Sequence, residues 1–219
     1  MALTSAQIIS LATQMVGTPK YTVQAGQLLN MILSDLCQMY DYAAALGSGT
    51  VSLTLGNVGP YNLSADYLRM AGNEVRYSSG GAAHQLTNLE LNEFDVLNAG
   101  TLVNGLPTFF ATDVSLSPRA LYVFPPPNGA ITLNLRYYRQ VPDIATPETS
   151  NSAPWFPNTS YLLTRLAGEL MRLNSDPRYE VFLGDTPAGA QGILVRFNEL
   201  QADDEGRYPM GRQQKMQGI

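Results

Sequence analysis

Few residue types in this chain are able to do chemistry, and they are scattered. His84 is the single histidine and Cys37 the single cysteine. Cys37 lies inside an apolar helical pattern, whereas His84 follows the loop-like run Ser78-Ser79-Gly80-Gly81-Ala82-Ala83. One of each makes neither a four-ligand zinc site nor a thiol–imidazole dyad, which needs the two side chains within hydrogen-bond reach. Cys37 reads instead as a small buried hydrophobe, with no partner for an intramolecular disulfide. Paired carboxylates occur at Asp203-Asp204-Glu205, where three consecutive acids closing a helix read as a solvated end, and no calcium-loop spacing follows them. Gly47-Ser48-Gly49 and Ser79-Gly80-Gly81 lack the lysine and the strand-to-helix context of a phosphate loop, so they read as hinges and loops. The expectation is no catalytic residue, no metal and no cofactor.

Aromatic residues are the richer resource, with 12 Tyr, 7 Phe and a single Trp. Tyr137 and Tyr138 are adjacent in a strand pattern, so at least one is expected to point away from the core, as a sheet rim or as an interface anchor.

The elements that position these residues follow from periodicity. Trp155–Leu173 organises the chain: Pro154-Trp155-Phe156-Pro157 enters a helix capped near Asn158, with Tyr161, Leu162, Leu163, Leu166, Ala167, Leu170 and Leu173 on one face and Thr164, Arg165, Glu169 and Arg172 opposite. An earlier helix over Val23–Ala45 is the expected partner for that face, with Leu36 and Leu166 in a shared core. Before it, Thr4 and Gln7 form a capping-box pattern for a helix stopped by Gly17-Thr18-Pro19.

From Thr50 the apolar period falls from 3.6 to 2, which predicts a strand through Leu55 and further strands at Glu74–Ser78, Thr108–Asp113, Ala120–Phe124 and Ala130–Arg139. The Asn128-Gly129 pair predicts a tight hairpin between the last two. Short helices are expected at Ser64–Met70 and at Leu89–Leu97, the second capped by Thr87 or Asn88. Val141–Pro157 is a linker. A short helical turn follows at Asp176-Pro177-Arg178-Tyr179. The final helix is expected from Pro187, capped by Thr186 or Asp185; Gly189 and Gly192 imply either a later start or close approach of another segment.

The fold class is therefore α+β: an antiparallel helical core from residues 1–47 and 142–205, an inserted, mostly β lobe at 48–141, and an extended tail at 206–219. Charged residues make up only 14% of the chain, against a usual quarter, so uncharged polar residues carry the solvation, which suits permanent assembly. The net charge is −5, from 13 basic and 18 acidic residues, and the arginines are dispersed. A nucleic-acid reader would carry a basic stripe. Neither a signal peptide nor an apolar run of membrane-spanning length is present, so the expectation is a soluble protein made in the cytoplasm.

Several stretches in register resemble the head-to-tail adaptor family of tailed bacteriophages, relatives of the tail tubular protein A of short-tailed phages. Tyr61-Asn62-Leu63-Ser64-Ala65-Asp66-Tyr67-Leu68-Arg69 is similar to a Leu-Pro-x-Asp-Tyr-Leu-Arg signature, with Ser64 where proline is common; that departure bears on the local turn. Leu91-Asn92-Glu93-Phe94-Asp95, Gly105-Leu106-Pro107, Leu121–Pro127, Leu133–Arg139 and Trp155-Phe156-Pro157 follow in the family's order. The resemblance implies a non-enzymatic virion protein that docks as a ring of twelve copies beneath the portal protein, joins it to a nozzle or tail tube protein, and lets genomic DNA pass without gripping it. It also implies a C-terminal arm reaching the portal, for which Arg207, Tyr208, Met210, Arg212, Lys215 and Met216 are the contact residues. The rival reading is a glycan- or receptor-binding β-sandwich on a helical base, with exposed Tyr and Trp155 stacking on sugars. Trp155 argues against it, because a tryptophan between prolines at a helix entrance serves as a staple against the core.

Overall fold

The structure, a computed structural model, describes residues 3–100 and 102–205. The fold is α+β, and among the described residues six helices and eight strands follow in the order α1 (Ser5–Val16), α2 (Thr22–Met39), β1 (Leu46–Leu53), β2 (Tyr61–Asn62), β3 (Tyr67–Ser79), β4 (Ala82–Gln85), β5 (Thr87–Asn88), α3 (Leu91–Asn98), β6 (Phe109–Asp113), β7 (Ala120–Phe124), β8 (Ile131–Arg139), α4 (Thr159–Leu173), α5 (Tyr179–Leu183) and α6 (Ala190–Glu205). Two compact units result, Met1–Leu33 with Asp143–Ile219 and Ser34–Pro142, so the first division falls inside α2 and not after it.

In the helical unit, α1 begins with the expected capping box. Gln7 N donates to Thr4 Oγ1 at 3.3 Å and Thr4 N donates to Gln7 Oε1 at 3.0 Å, while Gly17 at φ 77° ends the helix. Asn158 caps α4 through Tyr161 N at 3.0 Å. The elements packed on α4 include α1, α5 and α6. With neighbours on several sides, α4 buries Leu166, Ala167, Gly168, Glu169, Leu170 and Met171 in succession. Two corrections to a one-faced helix follow: Leu173 is exposed, and Glu169 is buried, its two oxygens paired with Arg165 at 3.0 Å and Arg172 at 2.7 Å. Breaking either pair would leave an uncompensated buried charge, which is strongly destabilising. Phe156 packs against Tyr161 and Phe197, with ring centroids 5.5 and 5.0 Å away. Both options for the two glycines hold, Gly189 lying before α6 and Gly192 inside it. The helix starts at Ala190, and a Cβ on Gly192 would lie 2.1 Å from the Thr186 carbonyl oxygen.

The strand-rich unit is a sandwich of two four-stranded sheets, ordered β1-β8-β3-β4 and β2-β7-β6-β5. Val51, Leu53, Tyr67, Val75, Phe110, Leu121, Val123, Leu133 and Leu135 fill its core, as inward alternation requires. The helix α3 covers the second sheet, with Phe94 against Tyr122. It begins one residue after Glu90, which caps it; the expected caps Thr87 and Asn88 instead form β5.

Three further expectations are corrected here. The strands β7 and β8 belong to different sheets, so Asn128-Gly129 makes no hairpin. The preceding prolines lack N–H donors, and the link is held elsewhere: Gly105 N and Gly56 N donate to the Pro126 and Pro127 carbonyls at 2.8 Å, and Asn128 N donates to Gly105 O at 2.9 Å. The two-residue hairpin lies instead between β3 and β4, where Gly80 and Gly81 at φ 58° and 82° supply the positive angles that such a turn demands. Ser64–Met70 is a turn followed by strand, because Tyr67 is buried and pairs with Arg139 of β8, and tertiary pairing overrides local propensity. Finally, Gly47 and Gly49 are not a hinge. They lie within β1 under the ring of Tyr137, which a Cβ on either would approach to 3.3 Å.

Gly168 separates propensity from packing. Alanine there gains about 1 kcal/mol of helix propensity, but its Cβ would meet Leu183 Cδ2 at 2.5 Å and Phe182 Cβ at 3.1 Å. Overpacking of this kind costs about 1–3 kcal/mol. Urea unfolding of Gly168→Ala should therefore show net destabilisation, and a stabilised variant would contradict the packing described.

Candidate functional site

The residues singled out for chemistry are not brought together. His84 stacks on Tyr77 at 4.9 Å, and the Tyr77 hydroxyl donates to Pro107 O at 3.0 Å, so His84 is part of the sandwich. Cys37 is buried in α2, and burial pushes its thiol pKa up, away from the reactive thiolate. No group of three metal-ligating side chains occurs among the described residues. Asp203-Asp204-Glu205 end α6. The arm residues Arg207, Tyr208, Met210, Arg212, Lys215 and Met216 lie outside the described residues. Trp155 packs edge-on against its neighbour Phe156, with ring centroids 5.7 Å apart. Tyr137 lies in the sandwich core, and Tyr138 points away from that core as expected, though it too is buried, under the Arg69 guanidinium 5.1 Å from its ring centroid.

The outer face of the first sheet holds a shallow open depression lined by Ser48, Thr50, Arg76, Asn134 and Arg136. Its side chains are hydrogen-bonding groups without a nucleophile–base pair. An open depression excludes no water, so this face suits contact, not catalysis.

The densest polar construction lies at Asp66–Arg69, where the strand-rich unit holds the last turn of α2. That helix ends without a basic residue in its last turn, which leaves carbonyls in need of donors. Arg69 supplies them. Its Nη1 donates to Cys37 O at 3.0 Å and Gln38 O at 3.2 Å, its Nη2 to Tyr40 O at 2.6 Å, and its Nε to Asp41 Oδ1 at 2.7 Å. A cation at a helix C-terminus also complements the helix dipole. Three residues earlier, Asp66 Oδ1 accepts from the Ser64 and Tyr137 hydroxyls, and Gln140 N donates to Asp66 O at 2.7 Å. Tyr67 packs on Tyr137 with centroids 5.4 Å apart. Sequence reasoning missed Arg69 as a cap, and the absence of a basic or glycine stop at the end of α2 was the signal available.

The family profile described as SU10 adaptor protein matches residues 3–214. The chain belongs to the SU10 adaptor protein family. No individual curated protein sequence matches it. As an SU10 adaptor it is a phage adaptor protein with a structural role in the virion, so its functional sites are contact surfaces and the elements that hold them in shape. No helix among the described residues is long and apolar enough to cross a membrane. Within this SU10 adaptor, the stretch Tyr61–Arg69 carries the turn, the tyrosine stack and the helix cap together.

Partial burial works to raise the Asp66 pKa, but the hydrogen bonds from Ser64 and Tyr137, with the Arg139 charge, outweigh it and hold the carboxyl below its usual value. A depressed carboxylate stabilises the fold above its unfolded pKa, about 3.9, and loses that contribution as pH falls through the lower folded value. Asp66→Asn should thus cost about 1–3 kcal/mol at pH 7, and the gap to the parent should shrink as the pH falls below about 4. Urea unfolding at pH 7 and pH 3 measures both; an equal gap at the two pH values would contradict the assignment.

Proposed function

We propose that this SU10 adaptor works at the head–tail junction of the virion, as a relative of tail tubular protein A. It is made in the host cytoplasm, and copies dock as a closed ring of twelve beneath the portal protein. The ring joins the portal to the next tail component, a nozzle or tail tube protein, and lines the channel through which DNA passes. The observation that carries this reading is the family match across residues 3–214.

Surface composition supports it. The first 34 residues contain one charged side chain, Lys20, yet Leu11, Met15, Tyr21, Val23 and Met31 are exposed, Met31 by 61%. Exposed apolar groups with few charges between them mark contact surfaces. A net charge of −5 with dispersed arginines suits a conduit that does not hold phosphates, since each neutralised phosphate would add salt-sensitive grip. On the same reading the tail, residues 206–219, meets acidic portal groups through Arg207, Arg212 and Lys215, with Tyr208, Met210 and Met216 as adaptable apolar contacts. Ordering a peptide segment costs about 1–2 kcal/mol per residue, so the arm's contacts must come from the portal.

Mixing the full chain with its portal tests this. Electron microscopy should show a ring docked on one portal face with no duplex DNA retained at physiological salt, and deleting residues 206–219 should weaken docking at least tenfold. A chain that stays monomeric beside the portal contradicts the ring, and undiminished docking by the shortened chain contradicts the arm.

A further inference from the structure

The first sheet of the sandwich, β1-β8-β3-β4, ends in two edges that differ in length but share a lack of protection. The strand β1 spans eight residues, Leu-Gly-Ser-Gly-Thr-Val-Ser-Leu, with no charge and no proline, and pairs with β8 without a register shift from Leu46↔Tyr138 to Leu53↔Ile131. Leu46 N donates to Ala43 O, and from Gly47 to Ser52 the backbone groups of the described residues have no backbone partner beyond β8. Natural sheets blunt such edges with lysine, proline or bulges, and β1 has none of these. At the opposite edge, Ala82, Ala83 and His84 of β4 pair only with β3.

Every neighbouring pair in this sheet is antiparallel, so with four strands β1 and β4 run in opposite directions. A second copy in the same orientation, displaced along the sheet, therefore sets its β4 antiparallel to β1 of the first, and the hydrogen-bonded ladder continues with unbroken polarity. Both edges carry small residues: Gly47, Ser48 and Gly49 in β1, and Ala82 and Ala83 in β4. Because two different edges meet, the contact is heterologous, and repeating it generates a ring or an open array and not a closed pair. We propose that the occupant of the β1 edge is β4 of a neighbouring copy of this chain, so that the sandwiches of adjacent subunits share a continuous sheet. This rests on the ring reading above and names one surface that closes the ring.

Thr50 and Ala83 both lie on the outer face of the sheet, through the rows Thr50–Asn134–Arg76 and Ser78–Ala83, as do Ser48 and Ser52 on β1. Cys37 is buried, which keeps background oxidation low. In the full chain, assembled with its portal and oxidised, Ala83→Cys is combined in turn with Ser48→Cys, Thr50→Cys or Ser52→Cys. At least one pair should give a covalent ladder of dimers, trimers and higher species, while each single variant stays monomeric on a non-reducing gel. In parallel, Thr50→Lys should keep the parent melting temperature and weaken subunit association at least tenfold. Rings that form while no pair cross-links and Thr50→Lys assembles normally would overturn the shared sheet and leave the ring standing. Dimers from a single β1 cysteine would mean that β1 pairs with itself, which also overturns the proposal. A chain that never leaves the monomer overturns both readings.

Discussion

A helix that stops without its own cap must borrow donors, and in this protein the lender is a strand. The last turn of α2 would leave the carbonyls of Cys37, Gln38 and Tyr40 without partners; Arg69, at the start of β3, donates to all three and to Asp41. A charged hydrogen bond contributes about 1.5–3 kcal/mol, so this cluster outweighs an ordinary surface ion pair, which is worth about 0–1 kcal/mol. Its consequences reach back along the chain. Arg69 occupies its position because Asp66 and Tyr67 fix the preceding turn, Tyr137 ties that turn to β8, and Gly47 and Gly49 leave room for the Tyr137 ring. One stretch of sequence thus decides where α2 ends, where β3 begins and how β1 lies against β8.

That dependence explains what the sequence disclosed and what it did not. Elements whose causes are local were readable: the Thr4–Gln7 capping box, the Asn158 cap of α4 and the alternation of Ala120–Phe124 all act within a few residues of themselves. Features whose causes are distant were not. Ser64–Met70 carries a helical pattern, yet its partner is Arg139 of β8. Gly47-Ser48-Gly49 has hinge composition, and only the Tyr137 ring across the ladder gives it a packing role. Asn128-Gly129 is a strong turn signal, but the neighbouring Pro126 and Pro127 carbonyls are claimed by Gly105 and Gly56, which sends the chain to the other sheet.

The chain has one His and one Cys, and they lie in elements of different type. What makes this SU10 adaptor useful is its surface, with few charges and several exposed apolar side chains. Such a surface is a liability for a lone subunit and an asset in a permanent assembly. An unprotected sheet edge follows the same logic.

The most direct test of this account is hydrogen exchange at the end of α2 after Arg69→Gln. If Arg69 holds that turn, the amide of Tyr40, which donates to Leu36 O at 3.2 Å, and its neighbours back to Leu36 should exchange at least tenfold faster, a change of about 1.4 kcal/mol, while the amides of α4 keep the parent rates. Unchanged protection at the end of α2 would contradict the central claim, that a strand-borne arginine is what holds the helix end in place.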